Sequence, residues 1–379
     1  MAYEINEARN LVIEAGKKLV ETGLIARTWG NVSARISDTQ FVITPSGKPY
    51  ETLKPEELVV VNIADCEYEG DIKPSSEKGV HADAYRLRPD VDFVIHTHQV
   101  NASALSPTGR PVANIPVAKY GMPSTDGLRK AVASSIEANP NSKAFIMKHH
   151  GALCLGKDLE ESFKVAEELE EVCKKELSNV AENLAKAFED RFAEPCEELQ
   201  SLGSSKKLND KTFEFTCDGK TYECGIDSGC PLSGTGPRAI AIHASIYKNC
   251  DVKFIDQYAE EDVVALSKAG KDMVPHLDDF AQIAGIDVKC KSWDRASYRT
   301  DAIEIGKASK GRNAVLVKGQ GALCYGNTLF DLEGVKKVLE KECKAEIYCK
   351  LTDSVSPLPL IDRLIMRIIY TLKYSKQAK

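Results

Sequence analysis

The segment KAFIMKHHGALCLGKDLEESFKVAEELEEVC, from Lys143, returns as NAVLVKGQGALCYGNTLFDLEGVKKVLEKEC, from Asn313. The two align without a gap and share GALC-x-G. In each, an apolar β-type run enters a glycine turn, and a helical pattern with apolar residues at i, i+3 and i+4 follows. A second pair lies upstream: HADAYRLRPDVDFVIHTHQVNASALS from His81 matches HASIYKNCDVKFIDQYAEEDVVALS from His243 with one residue deleted. A chain that repeats at this period must build the same core twice. The reading is a tandem duplication with a shortened start to the second copy. The boundary falls in AEPCEELQSLGSSKKLNDK, whose proline, Gly-Ser-Ser and lysines are linker composition. Residues 1–195 form the first domain and 203–379 the second.

Strand patterns in the first copy are QFVIT, LVVVNI, DFVIHTH and KAFIMKH. Helical patterns cover about 3–22, 77–88, 99–106, 125–138 and 158–188, with a single turn at 54–57. These elements do not alternate strictly, so a doubly wound parallel sheet fits poorly. A central sheet between helical layers, an α/β fold of α/β/α type, fits better. The terminal stretch SPLPLIDRLIMRIIYTLKYSKQAK has apolar residues at helical spacing. It is expected to pack on the body with its basic tip in solvent. No basic polar face is developed, so a seat on a membrane surface is not expected.

Composition excludes several classes. A net charge of −6 and the absence of a basic stripe argue against nucleic acid. No run approaches about 18 apolar residues, so no membrane partner is expected. The N-terminus opens as an amphipathic helix without a secretory pattern, and the twelve cysteines are scattered without a C-x-x-C. Reduced thiols and a cytoplasmic location are expected. Cys217, Cys224 and Cys230 lie close together, but their spacing matches no zinc-finger pattern.

The chemistry concentrates in the first copy. Residues i and i+2 of a strand share a face, so His96 and His98 in DFVIHTH point the same way. In MKHHGALC, adjacent strand residues face opposite sides, so one of His149 and His150 joins them. Three imidazoles with an open position suit a catalytic zinc. In the second copy the places of His96, His98 and His150 hold Gln257, Ala259 and Gln320. All the candidate ligands are lost together, whereas the surrounding glycines and apolar residues persist. Ser75, Ser76 and Glu77 precede a helix, where serine hydroxyls and free N–H groups can hold an anion, although an ordinary N-cap reads the same. Gly30 and Asn31 in WGNVSAR, and Ser46 and Gly47 in ITPSGKPY, make further small-residue turns. Pro237, Arg238 and Ala239 replace Ser75, Ser76 and Glu77 in the second copy, so the carboxylate goes with the histidines.

WGNVSAR, ITPSGKPYETLKPEELVVV, KPSSEKGVHADAYRLRPDVDFVIHTH and KHHGAL together resemble the class II aldolase/adducin family over residues 1–190. The resemblance implies a three-layer α/β/α domain with a mainly antiparallel central sheet, here repeated twice. It implies a metal-dependent lyase, an aldolase that cleaves a ketose phosphate to dihydroxyacetone phosphate and an aldehyde. It implies Zn2+, or another divalent metal, on His96, His98 and His150, and Glu77 as the catalytic carboxylate. Gly30, Asn31, Ser46, Gly47, Ser75 and Ser76 match the phosphate-binding positions. Epimerases of the family carry Asp where this chain has Glu77, which favours the aldolase. The segment between His98 and His150 is shorter than the family pattern; it offers Tyr120, which the resemblance does not place on the family's proton-donating tyrosine. An epimerase, a dehydratase and a non-enzymatic adducin-like scaffold are the alternatives. The family often forms fourfold rings, so a homodimer of unlike domains imitating such a ring is expected, with the metal-free second domain as a wall.

Overall fold

The computed structural model describes residues 2–25, 29–189, 198–352 and 356–372. The chain divides into two compact units. One comprises Met1–Glu182, Tyr348–Ser356 and Ile369–Lys379, the other Asn183–Ile347 and Pro357–Ile368.

The first unit has strands β1 (Asn31–Arg35), β2 (Gln40–Ile43), β3 (Val59–Asn62), β4 (Phe93–Thr97), β5 (Val117–Ala118), β6 (Ala144–Met147) and β7 (Ala152–Gly156). Its helices are α1 (Ile5–Glu21), α2 (Lys78–Leu87), α3 (Val100–Leu105), α4 (Asp126–Ala138) and α5 (Leu159–Glu189). The strands form one sheet in the order β3-β2-β1-β4-β7-β6-β5. Only β5 and β6 run parallel; every other pair is antiparallel. Side chains alternate across this sheet with period two. Phe93, Ile95, Ile146 and Cys154 pack with α1 and α5 residues such as Val12 and Phe163. Val94, Phe145, Leu153 and Leu155 pack with α2 and α4 residues such as Tyr85 and Val132. Two apolar faces, each covered by helices, make the three-layer domain. β1 and β7 were not among the expected strands, because WGNVSAR and GALCLG read as turns.

The second unit repeats the plan with β8 (Ser204–Lys207), β9 (Thr212–Cys217), β10 (Lys220–Gly225), β11 (Cys230–Pro231), β12 (Phe254–Tyr258), β13 (Cys290–Lys291), β14 (Ala314–Val317) and β15 (Gly321–Gly326). Its helices include α6 (Ile240–Asn249), α7 (Glu261–Lys268), α8 (Asp278–Ile283) and α9 (Tyr298–Ser309); α10 (Leu329–Leu351) and α11 (Leu360–Leu372) follow. The sheet order is β11-β10-β9-β8-β12-β15-β14-β13, and only β13 and β14 are parallel. Cys217, Cys224 and Cys230 lie on β9, β10 and β11 and form no three-donor metal group. All described cysteines are free.

Both units carry the same buried polar knot. Ser33 Oγ lies 2.6 Å from His81 Nδ1 and 2.7 Å from Tyr85 Oη. Ser205 Oγ lies 2.7 Å from His243 Nδ1 and 2.9 Å from Tyr247 Oη. A strand is thereby pinned to a helix in each copy by groups that satisfy one another, as buried polar atoms must be.

The terminal helix departs from expectation. α11 buries only Met366, and its aliphatic residues face outward. Arg363 donates to the Ile286 carbonyl at 2.7 Å. Arg367 donates to the Gln282 and Ile283 carbonyls, at 2.8 and 2.6 Å, at the end of α8. Guanidinium groups bonding the negative end of a helix fix the orientation. Periodicity identified the stripe but not which side of the helix the body would hold.

Candidate metal centre

β4 carries His96 on the face that packs against α2 and α4, because His96 follows Val94 by two residues. His98 continues that face just past the strand. His150 arrives from the turn between β6 and β7, which is hydrogen-bonded from His150 N–H to the Met147 carbonyl at 3.0 Å. The three ring centroids are 4.5–4.9 Å apart. The turn needs glycine next: a β-carbon on Gly151 would meet the Thr97 carbonyl oxygen at 2.0 Å. His149 sits in the left-handed region at φ 64°, not on a strand, and its ring packs edge-on against Tyr120 at 5.4 Å. One histidine of the pair joins the cluster, as expected, but a turn rather than strand alternation separates them.

Second partners set the ring states. His96 Nδ1–H donates to the Ala152 carbonyl at 2.9 Å, which leaves Nε2 as a lone pair. That lone pair lies 3.1 Å from His98 Nε2 and 3.1 Å from Glu77 Oε2. Glu77 Oε1 lies 3.2 Å from His150 Nε2. Glu77 precedes the first residue of α2, and its backbone N–H donates to Ser75 Oγ at 3.2 Å. Burial pushes its carboxyl up, but His96, His150 and His98 outweigh that and hold it well below the usual carboxylate range. Burial drives the His96 imidazole below its ordinary value, against the pull of the Glu77 carboxylate.

Ring nitrogens and carboxylate oxygens converging this closely suit a positive centre among them. Two nitrogens on a tetrahedral ion at 2.0–2.1 Å stand roughly 3.4 Å apart, close to the 3.1 Å between His96 and His98. The donor set of three imidazoles fits a divalent metal, and the ligand-competent atoms of His96, His98 and His150 all lie within 4.8 Å of one another.

Asn31 sits beside the cluster. His81 Nε2–H donates to Asn31 Oδ1 at 2.5 Å, so the Asn31 amide presents its NH2 to Glu77 Oε2 at 3.2 Å. Gly30, at φ 103°, has no room for a β-carbon, which would sit 2.5 Å from the His96 carbonyl oxygen. Ser46, Ser75 and Ser76 line a separate cavity of about 460 Å³ with Lys48, Lys73, Lys78 and Tyr68. The Ser46 N–H donates to the Lys73 carbonyl at 3.0 Å, which ties the two serine loops together. Gly47, at φ 74°, makes the adjoining turn. The lysines of this cavity were missed in the sequence reading; the run from Ser46 to Lys78 carries three of them, and that spacing was the available signal.

The model of the Class II Aldolase and Adducin N-terminal domain matches this chain twice, over residues 10–177 and 211–347. The chain belongs to the class II aldolase and adducin family. It is 33% identical over 190 residues to the L-fuculose phosphate aldolase of Escherichia coli O6:H1, covering 47% of this chain and 86% of that protein. It is 34% identical over 176 residues to the 5-methylthioribulose-1-phosphate/5-deoxyribulose-1-phosphate aldolase of Rhodospirillum rubrum, covering 43% and 77%. A solved L-fuculose 1-phosphate aldolase is 30% identical, with a TM-score of 0.44 over 48% of this chain and 89% of that one.

The second class II aldolase domain has filled the equivalent place. Gln257 opposes Leu323 on β15 as His96 opposes Leu153 on β7, so the register makes them counterparts. The Gln257 amide accepts from Leu202 N–H at 2.7 Å and donates to the Gln200 carbonyl at 3.0 Å. Gln320, at the place of His150, accepts from Gln200 N–H at 2.5 Å and donates to the Glu198 carbonyl at 3.4 Å. The chain's own segment 198–202 lies where the first copy keeps its imidazoles.

Proposed function

We propose that the first domain is a zinc-dependent class II aldolase that cleaves a ketose 1-phosphate to dihydroxyacetone phosphate and an aldehyde. The observation that carries this reading is the convergence of His96, His98 and His150 on one point with Glu77 against two of them. The relatives are named for aldol cleavage of fuculose and ribulose phosphates, which supports both reaction and substrate class. A divalent ion held by the three imidazoles, when bound, supplies a Lewis acid beside the substrate carbonyl.

The remaining roles fall to this chain's own side chains. Glu77, ionised, takes and returns the proton at the donor carbon or its hydroxyl. Asn31, held by His81, keeps that carboxylate aimed. Ser46, Ser75 and Ser76, with the turns at Gly30 and Gly47, grip the phosphate and fix the distance to the cluster.

The test incubates metal-loaded protein with phosphorylated ketoses and identifies the products. Dihydroxyacetone phosphate plus an aldehyde is expected. Loss of water, or an inverted carbon, would replace the aldolase with a dehydratase or epimerase. No turnover, together with no bound divalent ion, would leave a scaffold.

A further inference from the structure

The run GMPSTDG, from Gly121, leads from β5 into α4 through a tight turn. Thr125 N–H donates to the Met122 carbonyl at 3.3 Å, Pro123 holds the second place of the turn, and Ser124 takes the third at φ 64°. Proline followed by a positive φ is the type II pattern, in which glycine is the ordinary third residue. A serine there is strained, so the reason for it lies in its side chain. The turn is held in place from two sides. A β-carbon on Gly121 would meet the Leu128 backbone nitrogen at 2.2 Å, so the chain folds tightly onto the start of α4. Arg129 on α4 grips Asp83 on α2 through two hydrogen bonds, of 2.8 and 2.9 Å, which sets the turn against the start of α2. Ser124 Oγ thereby lies 2.8 Å from Ser76 Oγ.

We infer that Ser124 is a positioning residue for the substrate phosphate, acting through Ser76; this rests on the reading of Ser76 as a phosphate contact proposed above. A phosphate dianion offers only acceptors. A hydroxyl has one proton, so a Ser76 that donates to phosphate has its oxygen left to accept. Ser124 is the donor to that oxygen. Its O–H fixes the Ser76 hydroxyl in the direction that serves the ligand, and hydrogen bonds in series strengthen one another. The second copy gives the contrast. There α9 takes the place of α4, between β13 and β14 as α4 stands between β5 and β6. Arg238, at the place of Ser76, lies 5.4 Å from the ring centre of Tyr298, the first residue of α9. The two helix starts still meet, but the hydroxyl pair has gone along with the three imidazoles.

The test is calorimetric titration of the full-length, metal-loaded protein with sn-glycerol 3-phosphate, with thermal midpoints measured alongside. Ser124→Gly suits the turn and should leave the midpoint unchanged or raised, yet weaken binding about fivefold, the worth of one hydrogen bond. Asparagine and aspartate both tolerate a left-handed backbone and differ in what they offer Ser76. Ser124→Asn, whose amide can donate, should hold the affinity within about twofold of wild type. Ser124→Asp, whose carboxylate only accepts, should weaken binding at least as much as Ser124→Gly. A Ser124→Gly protein that binds as tightly as wild type would overturn the positioning role and leave the aldolase reading standing. So would a Ser124→Asn protein that binds no better than Ser124→Gly. Wild-type protein that fails to bind the probe would remove the phosphate seat itself, and this role with it.

Discussion

His149 and His150 are chain neighbours with different surroundings, and the difference is testable. His150→Ala should strip the divalent ion from purified protein, whereas His149→Ala, whose ring packs edge-on against Tyr120 outside the cluster, should retain it. Elemental analysis of both variants decides; equal loss would mean the turn rather than the imidazole is at stake. Glu77→Gln preserves shape but removes the base, so kcat should fall by about 10²–10⁴-fold with metal content retained. His81 and His243 carry a separate expectation. Burial lowers both rings to about 4, from an ordinary 6.5. An unfolded chain takes up protons there that the folded chain refuses, so the penalty is absent above about pH 6.5 and complete below about 4. It amounts to on the order of 3 kcal/mol per ring. Urea midpoints should therefore fall steadily between pH 6.5 and 4.5, and a flat profile there would sink the idea. The sequence comparison separated these two classes of histidine: His81 and His243 persist in both copies as structural pins, whereas the three cluster residues disappear as a set.

At the level of elements, the cavity beside α2 combines serines with lysines. Among the described residues neither Lys73 nor Lys78 forms an ion pair, and Lys78 stands 5.5 Å above the Tyr68 ring, whereas Lys48 is paired with Glu57. In an acidic protein, a local positive entrance concentrates phosphorylated ligands. Lys73→Met/Lys78→Met should raise KM for a sugar phosphate by roughly fivefold, about 1 kcal/mol, with kcat unchanged. The salt dependence of KM should flatten, and a KM as steep in salt as wild type would argue against capture by these lysines. The helices were legible because their apolar residues recur over many turns. β1 and β7 were not, because each is short and bounded by glycine, so local turn chemistry masked strands that only sheet neighbours stabilise. The inverted seat of α11 was hidden for another reason: a stripe reports amphipathicity, but the carbonyls that capture Arg363 and Arg367 belong to residues far away in sequence.

At the level of the whole molecule, the duplication was readable because glycines and core residues of both copies remain in register. What replaced the cluster in the second copy was not readable, since Gln257 and Gln320 reveal their purpose only once segment 198–202 is seen against them. Loss of the imidazoles there was thus accompanied by a new set of main-chain hydrogen bonds. Gln257→Ala/Gln320→Ala should lower the stability of that unit by about 1–3 kcal/mol, because the partner N–H and C=O groups of 198–202 lose their bonds. A calorimetric scan with an unchanged transition would contradict this. The arrangement also works as a ratchet. Restoring histidines at 257 and 320 would return the side chains but not the room, because the backbone strap would still occupy the seat and would now lack partners of its own. Building an imidazole cluster in that half would take a reroute of the strap as well as the histidines.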